Sequence, residues 1–333
     1  MVTDVIALTQ EMVRTKSLSG EEDSMAALVE TRMREFGFTD VRRDRNGSVL
    51  GLIGPADAEV ALLFDGHMDV VPVVGDWSVD PFGGEIRDGR LYGRGSTDMK
   101  GGIAAAMCAV AEAASTGRLT HRVAVSASVL EEVVEGYALA HVLDTCQPQA
   151  VVICEPSRLH IKTGQKGRME ILLTFAGRPA HAASPECGVN PLHAAAHALL
   201  ALREIALPSD PILGDALLVP TDIVSTPYPS ISMIPTATTI RFDRRTMPGE
   251  SERDVLQAIE DCLARAGLRD FTLSITEDTV HTFTGETAQP TRWLPAWQLP
   301  AGHTLLAEVK AAVVESGLPV CVGAWRFCTN GSE

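Results

Sequence analysis

Three apolar runs decide what this chain can become: VALLF around residues 59–64, VAVSASVL at 123–130 and AVVIC at 150–154. Each is short, rich in β-branched or aliphatic residues and lacks strict alternation, as strands buried on both faces do. Helix-like segments separate them, and strand–helix alternation predicts an α/β fold with a mostly parallel sheet. Parallel strands end on the same edge of a sheet, where open α/β folds gather their functional side chains. Here each run is followed at once by histidine or carboxylate: His67 and Asp69, Glu131-Glu132, and Glu155.

The helices are legible by their spacing. Residues 3–16 and 21–36 carry apolar positions at helical intervals, the second opening after Ser19-Gly20 with acidic residues in its first turn. KGGIAAAMCAVAEAAS at 100–115 predicts an alanine-rich helix with Asp98 at its start, and another helix is expected over about 136–144. From about Gly164 the texture changes. The phrases RMEILLTFAG, VNPLHAAAHALLALREIA, ATTIRFDRR, ERDVLQAIEDCLARAG and DFTLSITE read as β-α-β-α-β, a separate α+β unit. The expected organisation is one domain begun by 1–163 and resumed at 279–333, with 164–278 inserted. The last part holds a proline-rich stretch and a helix at 303–317.

Composition excludes several partners. A net charge of −15, from 43 acidic and 28 basic residues, argues against nucleic acid and anionic membranes. It also makes acidic side chains plentiful, so one carboxylate in a motif proves little. The seven cysteines are scattered without a CxxC pair, which indicates neither a disulfide framework nor a thiolate zinc site. MVTDVIALTQEMV lacks a basic start followed by an apolar stretch, and no long uninterrupted apolar segment occurs. A reducing cytoplasm is the expected location, and the Asn-Gly-Ser sequons at Asn46 and Asn330 then carry no glycan.

Each candidate taken singly has a plain structural reading. His-x-Asp is commonly a turn, Asp98 a helix N-cap, Glu131-Glu132 a solvated pair and Glu155-Pro156 a strand terminator. Their conjunction at successive strand and helix ends points to a site. One histidine and several carboxylates form a nitrogen and oxygen donor set suited to zinc, cobalt or manganese. Adjacent carboxylates diverge, so one can hold metal while the other faces a bound water.

GHMDVVPVVGDWSVDPFGG, DGRLYGRGSTDMKGGIAA, LEEVVEG and CEPS, in that order, resemble the motifs of the M20 metallopeptidases, the family of acetylornithine deacetylase, succinyl-diaminopimelate desuccinylase and carboxypeptidase G2. PSISMIPTATTIRFDRRTMPGE and WRFCTNG are similar to a hydrolase subgroup associated with selenium metabolism. The resemblance implies an α/β catalytic domain with an inserted α+β lid that often dimerises, and a dinuclear hydrolase holding two divalent ions, zinc first, with cobalt or manganese as alternatives. It implies His67, Asp98, Glu132 and Glu155 as metal ligands, Asp98 bridging both ions. Asp69 would orient the His67 imidazole, and Glu131 would be the general base for a metal-activated water. The expected reaction is cleavage of an amide bond in a small N-acyl amino acid or dipeptide-like substrate bearing a carboxylate.

In the lid, GRPAHAASPECGVNP resembles the family motif whose histidine, here His181, reaches a substrate oxygen; otherwise His181 is a loop histidine. Arg244 in RFDRRTMPGE matches an arginine that grips a substrate carboxylate; otherwise it is a charged residue at a strand end. His193 and His197, without an HExxH pattern, read as packed or surface residues. Ser232-Met233 stands where many relatives carry asparagine. The family's last metal ligand is a histidine near the C-terminus, which His303 in PAGHTLL does not match, and the chain stops at Glu333 ahead of such a segment. The sequence therefore reads as incomplete, and a catalytically impaired M20-like binding or scaffold protein is the alternative. A metallophosphoesterase would need a Gly-Asn-His element and a basic phosphate cradle, and neither is present. GRGSTDMKGG fits neither nucleotide-binding loop pattern.

Overall fold

The computed structural model describes residues 3–332. Its central sheet runs in the order Asp40–Arg43, Val49–Ile53, Arg122–Ser128, Val60–His67, Ala150–Ile153. The last three strands, those expected from the apolar runs, are parallel. The first two form an antiparallel hairpin added to the 122–128 strand, so the sheet as a whole is mixed. The hairpin's signal was the turn DRNGS rather than its strands. Asp44 Oδ1 accepts the N–H groups of Asn46, Gly47 and Ser48, and Gly47 takes a φ of 104°.

Helices cover both faces. Val5–Arg14, Asp23–Glu35 and Lys100–Ser115 pack Met12, Met33, Ile103 and Met107 against Val125 and Ala127. On the opposite face Tyr137–Cys146 buries Leu139 and Val142 against Leu63 and Ala124. Strand neighbours such as Ala124 and Val125 serve different cores because successive side chains point to opposite faces.

Two glycines set how closely the 100–115 helix approaches the strand ends. A Cβ on Gly102 would stand 2.6 Å from the Cys154 carbonyl oxygen, and one on Gly66 2.7 Å from Ile103 Cγ1. The helix start and the turn after Ile153 are thereby pressed together. That contact brings Asp98 and Glu155 to the same edge.

A second sheet, with its own core, is antiparallel throughout: Leu217–Thr226, Ala237–Thr246, Gly167–Ala176, Thr272–Ile275, with Trp293–Leu294, from beyond the inserted unit, also paired to Gly167–Ala176. Burial alternates strictly along its two central strands, the mark of a sheet covered on one face. Helices Pro191–Arg203 and Glu252–Arg265 supply the cover, with Met169, Ile171, Phe242, Ile259 and Leu263 inside. Leu217–Thr226 was not expected from the sequence. Its LLVPTDIVST carries a proline and an aspartate around a register shift between Pro220 and Asp222, which an edge strand tolerates and a central strand does not.

The close approach at Gly102 gives a test in which two effects oppose. Alanine is favoured over glycine in a helix by about 1 kcal/mol, but a clash with a backbone carbonyl costs about 1–3 kcal/mol. Gly102→Ala is expected to lower the free energy of chemical unfolding. A variant of equal or greater stability would show that the helix is not pressed against Cys154.

Candidate metal centre

The parallel register places His67 beside Ser128 and Asp65 beside Ile153, so the segments following the three strands leave the sheet side by side. His67 is the last residue of its strand; Asp98 lies in the turn before the 100–115 helix, Glu131 and Glu132 follow the 122–128 strand, and Glu155 follows Ile153. The N-cap position of that helix is Met99, with no side-chain cap, so Asp98 is free of the capping role and extends toward the histidine. His67 Nε2 lies 3.0 Å from Asp98 Oδ1, 3.7 Å from Glu155 Oε1 and 3.8 Å from Glu131 Oε2.

Two three-residue groups have donor atoms within 4.8 Å of one another: His67, Asp98 and Glu132, and His67, Glu131 and Glu155. Both share the imidazole. Among the described residues, His67 is the one cationic side chain within ion-pair distance of Asp98, Glu131 or Glu155. Burial therefore raises the carboxyl of Glu131 well above its usual range, and Glu155, Asp69 and Glu135 reinforce the rise while His67 opposes it. Burial likewise lifts Glu155 to about 7, with Asp98 and Glu132 adding to it. Burial alone would depress His67, but hydrogen bonds to Asp69 and Asp98 outweigh it and push the imidazole pKa well above its usual range. So many carboxylates facing one proton-dependent cation is an incomplete charge balance. A divalent cation completes it with the right donor chemistry: oxygen and imidazole nitrogen.

Asp69 does more than face His67. The His67 Nδ1–H donates to the Asp69 carbonyl oxygen at 3.0 Å, with the carboxylate Oδ1 at 3.5 Å. That leaves Nε2 as the outward nitrogen. The fully buried Asp69 carboxylate accepts the N–H of Glu131 at 3.1 Å, the N–H of Glu132 at 3.2 Å and the Ser19 hydroxyl at 2.7 Å. It thereby fixes the peptide units from which both glutamates project. Sequence reading expected it to steer the imidazole and missed the two amides, because a hydrogen bond across 62 residues leaves no local pattern.

Three other participants were missed. Asp65 read as the end of a strand, yet the strand continues through it. Its buried carboxylate accepts the Ser126 hydroxyl at 2.5 Å and the Asn330 amide at 2.9 Å, so the charge is hydrogen-bonded inside the sheet. Asn330, seen only as an unused sequon, also accepts the Gly136 N–H at 2.9 Å. Glu22, fully buried, accepts the Leu130 N–H at 3.2 Å; burial, with Asp69 adding to it, lifts its carboxyl to about 7.

The lid candidates lie elsewhere. His181 sits exposed in a loop, its backbone bridged to Met233, and its Nδ1 accepts the Ala183 N–H, which puts the proton of the neutral ring on Nε2. Arg244, expected to grip a substrate carboxylate, is instead 2% exposed, paired with Glu250 and bonded to the carbonyl oxygens of Leu217 and Arg245. Strand alternation turns it inward, where Glu250 neutralises it. His193 and His197 are exposed on their helix, and His303 caps the helix Thr304–Glu315 through the Leu305 N–H. A mostly apolar cavity of about 520 Å³ lies beyond Glu155, lined among others by Leu139, Trp297 and Trp325. Glu155 lines it as well, whereas His67, Asp98, Glu131 and Glu132 do not, so the cavity adjoins the donor cluster through Glu155.

The model of the peptidase family M20/M25/M40 matches residues 63–291. Succinyl-diaminopimelate desuccinylase 2 of Ruegeria sp. (strain TM1040) is 32% identical over 269 residues, covering 74% of this chain and 67% of that protein. The fold is similar to that of an M20 family metallo-carboxypeptidase, Sso-CP2 from Sulfolobus solfataricus. The TM-score is 0.76 at 15% identity, over 99% of this chain and 88% of that one. It also resembles the Bacillus subtilis YXEP protein, described as a dinuclear metal binding peptidase from the M20 family. There the TM-score is 0.69 at 13% identity, over 98% and 84% of the two chains.

Glu22 gives a pH test behind the site. Its folded pKa lies above the ordinary carboxyl value of 4.5, so its contribution to stability is full below that value and is lost as pH rises through about 7. Glu22→Gln keeps an acceptor for Leu130 and cannot ionise. The advantage of the variant over the parent is expected to grow between pH 5 and pH 8, toward 2–3 kcal/mol on the order-of-magnitude scale of one pKa unit per ~1.4 kcal/mol. Denaturant midpoints at the two pH values check this, and a pH-independent difference would contradict it.

Proposed function

The chain belongs to peptidase family M20/M25/M40 and is a metallohydrolase of that family, and on that premise we propose that it cleaves the amide bond of a small N-acyl amino acid or dipeptide-like substrate. The observation that carries this reading is the pair of donor groups sharing His67, one with Asp98 and Glu132 and the other with Glu131 and Glu155. His67, Asp98, Glu132 and Glu155 would hold two divalent ions of the zinc, cobalt or manganese kind. When bound, the ions polarise the amide carbonyl and make a water acidic enough for a carboxylate to deprotonate near neutral pH.

Glu131 is the general base in this reading. Its carboxylate form, buried beside His67, takes the proton of the attacking water and hands it to the leaving nitrogen. Asp69 is a positioning residue, since its carboxylate holds the amides of Glu131 and Glu132 while its carbonyl sets the His67 ring. Residues 164–278 act as the lid over the catalytic parts 1–163 and 279–333. His181, with Nε2–H free to donate, would stabilise the oxygen of the carbonyl under attack once the lid closes or a second copy docks. A homodimer through the lid is supported by the edge strand Leu217–Thr226, which exposes Leu217, Val219, Ile223 and Val224. Seven free cysteines favour a reducing, cytoplasmic setting. Among the described residues no helix is long and apolar enough to cross a membrane.

Purified chain loaded with zinc, cobalt or manganese is expected to release free amine from a panel of N-acyl amino acids and dipeptides, and to stop on chelation. Activity insensitive to chelation would sink the proposal. In the active enzyme, Glu131→Gln should retain its metal content by elemental analysis while kcat falls by about 10² or more. Near-normal turnover would remove Glu131 from the role of base.

A further inference from the structure

The loop 131–136 carries both adjacent glutamates and is held from outside at three points. Asp69 binds its first two amides, and Asn330 accepts the Gly136 N–H at its end. The third point is Glu135. Its carboxylate Oε1 accepts from Arg168 Nη1 at 3.0 Å and from Cys328 Sγ at 3.5 Å, and Oε2 lies 3.6 Å from Arg292 Nη1. Arg168 belongs to the antiparallel sheet, in the strand Gly167–Ala176, and is already fixed there by Glu170 at 2.6 Å and Asp243 at 3.2 Å. A guanidinium anchored by two carboxylates has its plane fixed, which aims Nη1 at Glu135. Glu135 is the one member of this cluster supplied by the loop.

We infer that Glu135 is a positioning residue that latches the Glu131–Glu132 loop to Arg168 of the antiparallel sheet, so that the arrangement of the metal donors depends on where that sheet sits. The inference rests on the metal-site reading given above. Glu170 and Asp243 hold Arg168 in place but are shared with Arg241 and Arg245, so Glu135 also contributes to the charge balance of the cluster. What the contact adds is a mechanical link from one unit to a ligand three residues away. Motion of the lid would then be transmitted to Glu132 and Glu131 through a directional ion pair as well as through the chain connection.

Cobalt(II) alone is the probe, titrated into the metal-free full chain and followed by its visible absorption band, with the metal-free melting temperature measured for each variant. Glu135→Gln removes the charge at constant shape. Glu135→Asp keeps the charge but withdraws it from Arg168, and Arg168→Lys keeps the opposite charge without the fork. All three are expected to weaken cobalt binding by about 10–100-fold, the usual effect of losing a partner that orients metal ligands, and to alter the band, while the metal-free melting temperatures stay near that of the parent. Binding by Glu135→Gln equal to the parent would overturn the latch. So would parent-like binding by Glu135→Asp, which would assign the effect to charge rather than contact, or losses that follow the melting temperatures. A parent chain that takes up no cobalt would overturn the metal-site reading and the latch together, whereas the other outcomes leave that reading intact.

Discussion

The carboxylate of Asp69 is the interaction on which the site depends. It lies where a charge would be ruinous without partners, fully buried beneath the strand ends. Burial by itself would raise its pKa, yet hydrogen bonds from His67, Ser19 and the Glu132 amide, with the His67 charge, bring it below the usual carboxylate range. The charge is kept because every direction around it is met by a donor. In return it fixes the loop after 122–128 through two amides and the segment before the 23–35 helix through Ser19, while it faces His67 of the 60–67 strand at 3.5 Å.

A second buried carboxylate works the same way one layer deeper. Asp65 ties its own strand to the neighbouring one through Ser126, and to the end of the described chain through Asn330. Asn330 then binds Gly136, where the Tyr137–Cys146 helix begins. The loop bearing Glu131 and Glu132 is thus braced by polar groups at both ends, while the surrounding layers are apolar. Rigid support for a cluster of polar side chains is built this way because hydrogen bonds have direction and hydrophobic contacts do not. Asp98, Glu131 and Glu155, gathered at the surface of this frame, have His67 as their one ion-pair partner among the described residues, an imbalance that a divalent cation would resolve.

The elements that sequence periodicity made visible are those whose pattern is local. The three parallel strands, the alanine-rich helix at 100–115 and the helices of the inserted unit all carry their signal within about a dozen residues, as burial on a regular element requires. The elements that escaped notice have other causes. The edge strand Leu217–Thr226 is interrupted by proline and aspartate because solvent, not a partner strand, faces it. The hairpin Asp40–Arg43 and Val49–Ile53 is defined by its turn. Both would be found by asking where turn chemistry and edge-strand tolerance apply rather than where apolar residues recur.

The sequence by itself determined which donors are available and on which edge they gather: His67, Asp98, Glu131, Glu132 and Glu155 each end or follow a strand or precede a helix whose type is fixed by local spacing. Parallel pairing does the rest, since it aligns strand ends without further instruction. Only the tertiary structure decided how the buried polar groups are committed. Arg244 and Arg245 are neighbours in one phrase, yet pleating sends Arg244 inward to Glu250 while Arg245 meets Asp243. Asn330 finds Asp65 across 265 residues. A side chain's hydrogen-bonding partner is set by which atoms the whole fold brings within about 3 Å, and no periodicity in the chain encodes that distance.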